Sequence, residues 1–281
     1  MDLAATAQNK RPPTALGDLL RHWRDVRGVS QLDLSYEAGV SQRQISFIES
    51  GRSVPGRQTL LDLAQTLDVP LRERNGLLLA AGYAPLFPDT VWNAQEMQAV
   101  ARAVDRMLRQ HEPFPAIAMD RYWNVLSTNA AAPRFFGRFV DLGARPSPRN
   151  LLHLLFDPQG LRPFVHDWPQ VACAMLQRVQ REAVANVVDD GTRQLLDALL
   201  AYPDVPADWR LRGAPAQSAA VPVIAIGFEI DGRVVEYFSM VTTVGTPQSI
   251  AAQELRIESM FPADEATEAW HLARMAEAAR Q

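Results

Sequence analysis

Residues Ser30 to Gly51, SQLDLSYEAGVSQRQISFIESG, compress two short helical patterns and a turn into one continuous stretch. Leu34 and Ala38 are four residues apart and share one helical face, and Ser35 beside them is small enough to admit a second helix. Gly39 falls where the chain must turn sharply, a position that favours positive φ and hence glycine. Val40 packs under that turn, and Ser41 is a good N-cap for the following helix. Ile45 and Ile48 supply the buried stripe of that helix, which leaves Gln42, Arg43, Gln44, Ser46 and Phe47 on or near its outer faces. Gln and Arg are the side chains that bond bidentately to adenine and guanine edges in a DNA major groove. The stretch therefore predicts a helix-turn-helix whose second helix reads DNA.

Three flanking segments carry matching amphipathic patterns. Leu16 to Arg27 turns Leu16, Leu19, Leu20, Trp23 and Val26 inward. Gln58 to Leu67 buries Leu60, Leu61, Leu63, Ala64 and Leu67, and Leu71 to Ala81 buries Leu77, Leu78 and Ala81 before a stop at Gly82. With these in place, the run GVSQRQISFIESG, preceded by a helix opening on Ser-Gln, resembles the lambda- and 434-repressor-like class known as the Xre family. The resemblance implies an all-α domain of five helices over residues 14–84. It also implies an ion pair between Arg24 of the first helix and Glu49, base-edge contacts from Ser41, Gln42, Arg43 and Phe47, and phosphate contacts from Gln31 and Ser50. Arg52, Ser53 and Arg57, just beyond the recognition helix, are added as backbone contacts, because phosphate contacts set register. Residues 1–85 hold ten Lys or Arg against nine Asp or Glu, so no broad basic field draws the head to DNA. Affinity is expected to rest on a few placed contacts and on dimerisation.

The whole chain has 281 residues, enough for a second domain with its own core. Beyond residue 85 the balance is 18 basic against 23 acidic residues, which does not suggest a second nucleic-acid surface. The single cysteine, Cys173, excludes an internal disulfide framework and lies in an apolar helical run as a buried, inert thiol. Residues 1–13 lack the apolar core of a signal peptide and, with Pro12 and Pro13, predict a disordered arm. No apolar run approaches the roughly 20 residues that span a bilayer. A cytoplasmic protein without membrane contact is expected. Lys10 is the only lysine, and no chemistry is drawn from that.

Gly82 to Val91 carries two prolines and predicts a linker, and Ala94 to Gln110 predicts a connecting helix with Met97, Val100, Ala101, Val104, Met107 and Leu108 on one stripe. Residues 85–111 are thus expected to join the head to a domain spanning 112–281. There Phe114 to Met119 predicts a strand, Asp120-Arg121 a turn, and Tyr122 to Leu126 its hairpin partner. Helices are predicted over Asn129 to Phe139, Leu151 to Phe156 (capped by Asn150 and stopped at Asp157-Pro158), Trp168 to Val188 and Thr192 to Ala201. A polar stretch from Tyr202 to Ser218 precedes two strong strands, Val221 to Ile230 and Val234 to Val244, joined at Asp231-Gly232, a favoured hairpin turn. Ile250 to Met260 is expected as a third strand and Ala263 to Ala279 as a closing helix.

Two strands, a helical insertion and three further strands resemble an α+β, PAS-like domain with an antiparallel sheet. The segments PAIAMDRYWNVLSTNAAA, NLLHLLFDPQGLRP and FSMVTTVGTPQSIAAQELRIESMFPADEAT resemble the ligand-binding domain of MmyB-like transcription regulators. That resemblance covers residues 14–270 and implies a homodimeric, operator-binding regulator with a small apolar ligand, a fatty acid having been associated with the pocket in the family. Candidate lining residues are Phe114, Ile117, Trp123, Phe135, Phe136, Leu155, Phe156, Met175, Ile226, Phe228, Phe238 and Met240, since aromatic and Met side chains suit an adaptable apolar pocket. Arg121, Arg149 and Arg162 are candidates by charge for gripping a carboxylate.

The alternative is a second domain with a filled core that serves only dimerisation or protein contact. No G-x-S-x-G elbow, P-loop, G-x-G-x-x-G after a strand, C-x-x-C or H-E-x-x-H is present, and the five histidines are scattered, so neither an enzyme nor a metal or cofactor site is expected.

Overall fold

The computed structural model describes residues 16–184, 190–211 and 225–278. The expected arm of residues 1–13, residues 185–188 of the long helix, residues 212–218 of the polar stretch, residues 221–224 of the first strong strand and residue 279 lie outside them. The chain divides into two units between Pro88 and Asp89.

The first unit consists of five helices: α1 (Leu16–Val26), α2 (Gln31–Ala38), α3 (Gln42–Glu49), α4 (Arg57–Thr66) and α5 (Leu71–Ala80). Ser30 opens α2 with a capping box, its hydroxyl accepting from Asp33 N while the Asp33 carboxylate accepts from Ser30 N. Gly39 closes α2 in the left-handed region at φ 65°. The core gathers Leu19, Leu20 and Trp23 of α1 with Leu34, Ile45, Ile48, Leu60, Leu63, Leu77 and Leu78. Each such side chain taken fully from water contributes about 1.5–3 kcal/mol before entropy is counted. Val26, expected inward, is instead 40% exposed: it is the last residue of α1, where the chain turns away through Gly28 at φ 67°. The start of the linker is strapped to the head, since Asn75 accepts from Leu86 N and Phe87 N and donates to Phe87 O.

The second unit opens with α6 (Gln98–Gln110), followed by β1 (Ala116–Met119), β2 (Val125–Thr128), α7 (Ala131–Phe136), α8 (Leu151–Phe156), α9 (Trp168–Val184) and α10 (Asp190–Leu200). Then come β3 (Ile226–Ile230), β4 (Arg233–Thr242), α11 (Ile250–Glu254), β5 (Arg256–Pro262) and α12 (Glu265–Ala278). The five strands form one antiparallel sheet in the order β2-β1-β5-β4-β3, so the two ends of the domain meet where β1 pairs with β5. This is the PAS-like α+β architecture. Strand alternation separates two cores. Ile117 and Met119 of β1 face the larger one with Trp123, Phe135, Phe156, Leu176 and Tyr237. Ala116 and Ala118 face the other way, and with Ile257 and Leu255 they pack against Val104 and Leu108 of α6. Met107, expected on the same stripe, is 41% exposed, because the fully buried line runs from Met97, in the turn just ahead of α6, through Val104 and Leu108 of α6.

Several elements differ from expectation for local reasons. The partner of β1 is Val125–Thr128 rather than 122–126, because the Asp120 carboxylate accepts from Tyr122 N and Asn124 N and closes a longer turn that holds Trp123 at φ 67°. Ile250 begins a helix, not a strand: Ser249 accepts from Ala252 N as its N-cap, and the chain becomes extended at Leu255 and pairs from Arg256 onward. Asn129 stands ahead of α7 and spends its amide on the fold, its Oδ1 accepting from Ala116 N and Ala132 N while Nδ2 donates to Phe114 O and Leu108 O. The hairpin at Asp231-Gly232 has both residues at positive φ, 51° and 72°, as such a two-residue turn requires. Cys173 is a buried free thiol.

Candidate DNA-reading surface and ligand cavity

The reading surface is built from the start of α3. Ser41 caps it, accepting from Gln44 N at 3.2 Å, and Gln42, Arg43 and Gln44 project into solvent from the first turn. What fixes that turn is the opposite side of the helix, where Ile45 and Ile48 are fully buried and Glu49 is 4% exposed. The Glu49 carboxylate receives Arg24 Nε at 2.8 Å and Nη2 at 3.3 Å, and Gln31 Nε2 at 2.9 Å, while Arg21 Nη2 donates to its carbonyl at 2.8 Å. One buried acid thus ties α1, α2 and α3 together. Burial alone would raise its pKa; the hydrogen bonds from Arg24 and Gln31 and the nearby positive charges outweigh that and hold it below the usual glutamate value. Gly17 lets α1 approach closely, since a Cβ there would lie 2.5 Å from the Glu49 carbonyl oxygen.

Of the other residues expected at DNA, Ser41, Ser50, Arg52 and Arg57 are exposed and Ser53 is partly so. Gln31 already engages Glu49 through its amide. Phe47 is partly buried, and its ring lies beneath two guanidinium groups, with Arg43 Cζ 5.3 Å and Arg52 Cζ 5.6 Å from its centroid. Its carbonyl accepts from Arg52 N, Ser53 N and the Ser50 hydroxyl. Phe47 thus organises the residues around it.

In the second unit, a cavity of about 300 Å³ lies between the sheet and the helices. It is lined by Ile117, Trp123, Phe136, Leu151, Leu152, Leu155, Leu161, Ala174, Met175, Arg178, Arg181, Ile226, Phe228, Tyr237, Phe238, Ser239, Glu258 and Met260. Eight of the twelve proposed lining residues are among these. The other four are placed elsewhere. Phe135 is fully buried at the centre of an aromatic cluster with Phe136, Phe139, Phe228 and Tyr237. Phe156 packs edge-on against Trp168, and Phe114 stacks on His271 at 4.8 Å. Met240 is 60% exposed and lies just beyond Tyr237, Phe238 and Ser239, the part of the same strand that lines the cavity. Phe238 borders the cavity while its ring stacks on Phe261.

None of the three arginines expected to anchor a ligand reaches this lining. Arg121 is buried against Glu254 at 2.8 Å, Arg162 pairs with Asp204 beside Trp168, and Arg149 donates to Leu142 O beside a separate hollow with His153 and Tyr202. Their places are taken by Arg178 and Arg181 of α9. Ala174, Met175, Arg178 and Arg181 recur at helical spacing, and that periodicity is the signal that could have found them. Arg178 Nη2 lies 2.6 Å from Glu258 Oε1, and its Cζ lies 4.3 Å from the Trp123 ring centroid. On the rear wall the Tyr237 hydroxyl meets His271 Nδ1 at 2.8 Å, and His271 Nε2 meets Pro113 O at 2.9 Å, so Nε2 carries the proton and Nδ1 accepts. Burial pushes the Tyr237 phenol up and the His271 imidazole down, which keeps both neutral.

Comparison with known proteins identifies both domains. Residues 15–77 match the model of a helix-turn-helix domain, and residues 100–273 match that of the MmyB-like transcription regulator ligand binding domain. No curated protein matches the chain. The second match covers more than half of the 281 residues, and with the helix-turn-helix ahead of it the chain belongs to the MmyB-like transcription regulators.

Proposed function

We propose that this regulator binds double-stranded operator DNA as a homodimer and that occupancy of the cavity by a fatty-acid-like ligand modulates that binding. The observation that carries the proposal is the apolar cavity of about 300 Å³, at the lower end of the range for small-molecule sites, in a chain that also presents a polar recognition helix. A core filled for dimerisation alone has no use for such a void, because empty space in an interior forfeits packing energy. Dimerisation follows from the head. An eight-residue recognition helix on a nearly neutral domain reads few base pairs, and two heads must be set about 34 Å apart to enter successive major grooves. Strand β5 supplies a route for coupling: Glu258 faces the cavity, while the adjacent Ile257 packs against α6, the first α-helix of the second unit. Base-edge contacts are assigned to Gln42 and Arg43 with Ser41, and phosphate contacts to Ser50, Arg52, Ser53 and Arg57. Enzymatic activity forms no part of this proposal, nor does a cofactor.

The test is operator binding by full-length protein, followed by fluorescence anisotropy with and without dodecanoate, alongside mass spectrometry of lipids extracted from the purified protein. A several-fold change in operator affinity, or a co-purified acyl ligand, is expected. An operator affinity unmoved by any acyl chain, with no lipid extracted, would leave the second unit as a dimerisation module only.

A further inference from the structure

We propose that Arg178 and Trp123 form a head-group site for an anionic amphiphile, with Glu258 as the internal counter-ion that the incoming anion replaces. This rests on the cavity being a ligand site. Apart from Arg178, Arg181, Glu258, Ser239 and the polar tips of Tyr237 and Trp123 the lining is apolar, so a charge inside it needs a partner. Arg178 has one at 2.6 Å in Glu258, yet Glu258 Oε1 lacks the alignment of a hydrogen bond although it is buried. The pair therefore has the cost of a desolvated carboxylate without the full return of a directed, charge-assisted bond. A ligand carboxylate is free to turn and can present both oxygens to the guanidinium fork. Glu258 is tethered to β5, and at 2.6 Å its Oε1 makes no aligned hydrogen bond to Arg178.

Two neighbours complete the site. The Trp123 ring, 4.3 Å from Arg178 Cζ, holds the guanidinium by stacking, and its buried indole N–H makes no hydrogen bond among the described residues, leaving a donor in the same lining. Arg181, one helical turn beyond Arg178, adds a second positive charge, so that two carboxylates need not share one cation. Exchange also gives head-group specificity. An alkanol of equal chain length fills the apolar part but leaves the Arg178–Glu258 tie between α9 and β5 intact, whereas an acid breaks it.

The experiment is titration of full-length protein with dodecanoate and with 1-dodecanol, followed by tryptophan fluorescence and calorimetry, on the native chain, Arg178→Gln and Glu258→Gln. The native protein is expected to favour the acid by about tenfold or more, the size of a charge-assisted contact. Arg178→Gln should erase that preference while still binding the alcohol, which shows that its cavity is intact. Glu258→Gln, with the competing carboxylate removed, should bind the acid about tenfold more tightly. Equal affinity of the native chain for acid and alcohol, a preference that survives Arg178→Gln, or weaker acid binding by Glu258→Gln would overturn the exchange while leaving the cavity as an acyl site. Binding of neither compound would remove the cavity reading itself.

Discussion

Arg43 and Glu49 stand six residues apart on one helix and do opposite work. Arg43 is exposed and stacked on Phe47, available to a base edge. Glu49 is buried and holds the helix against α1 and α2. Changing Gln42 and Arg43 together to Ala should lower specific operator binding more than tenfold with no change in thermal stability, checked by anisotropy and calorimetry, since a good bidentate base contact is worth about 1–3 kcal/mol. Glu49→Gln should instead destabilise the head by about 3 kcal/mol, because the buried ion pair with Arg24 is broken and Arg24 keeps only the exposed Asp25 as a counter-charge. The folded-state pKa of Glu49 is lowered, so its contribution is fully present above the ordinary value of 4.5 and is lost as pH falls through the folded value. Urea midpoints measured between pH 3 and 7 should show that acid limb in the native chain and a shallower one in Glu49→Gln.

At the scale of elements, the angle at which α3 is presented depends on a contact without a side chain. Gly17 of α1 packs against the backbone carbonyls of Ile48 and Glu49, which a Cβ would meet at 2.7 and 2.5 Å. Backbone atoms cannot rotate aside, so Gly17→Ala must push α1 and α3 apart. A loss of about 2–3 kcal/mol in unfolding free energy is expected, with operator binding weakened beyond what instability explains, because the recognition helix shifts. An unfolding free energy within 0.5 kcal/mol of the native value, a margin on the order of a neutral surface change, would show that the crossing has room to relax. In the second unit, β5 plays the corresponding part, with Glu258 towards the cavity and Ile257 towards α6.

For the molecule as a whole, the question is whether the empty volume is needed for regulation. Ala174 lines the cavity from α9, and a phenyl group there would occupy part of it. Ala174→Phe should lower dodecanoate affinity at least tenfold (roughly the loss of a well-buried apolar contact) while leaving circular dichroism and basal operator affinity unchanged. Operator binding by this variant should no longer respond to dodecanoate. A response that persists would place the effector site elsewhere. Among the described residues no helix is long and apolar enough to cross a membrane.

What could be determined from the residue string alone was local in origin. The cap at Ser41, the left-handed turn at Gly39, the hairpin at Asp231-Gly232 and the Ile45–Ile48 stripe each depend on groups within a few residues, so the string carries them. The Arg24–Glu49 pair, 25 residues apart, was anticipated only through family resemblance. Tertiary structure alone decided which side chains line the cavity. The placing of β4 in the sheet brings Tyr237, Phe238 and Ser239 to the lining and leaves Met240 exposed. The Asp120 turn that moved β2 and the Ser249 cap that made Ile250 helical acted at short range but outweighed the apolar pattern. Arginines chosen for their charge proved to be bound to Glu254, Asp204 and a backbone carbonyl. Arg178 reached the cavity because α9 turns its Ala174–Met175 face towards the sheet, and a packing direction of that kind is fixed by the whole core.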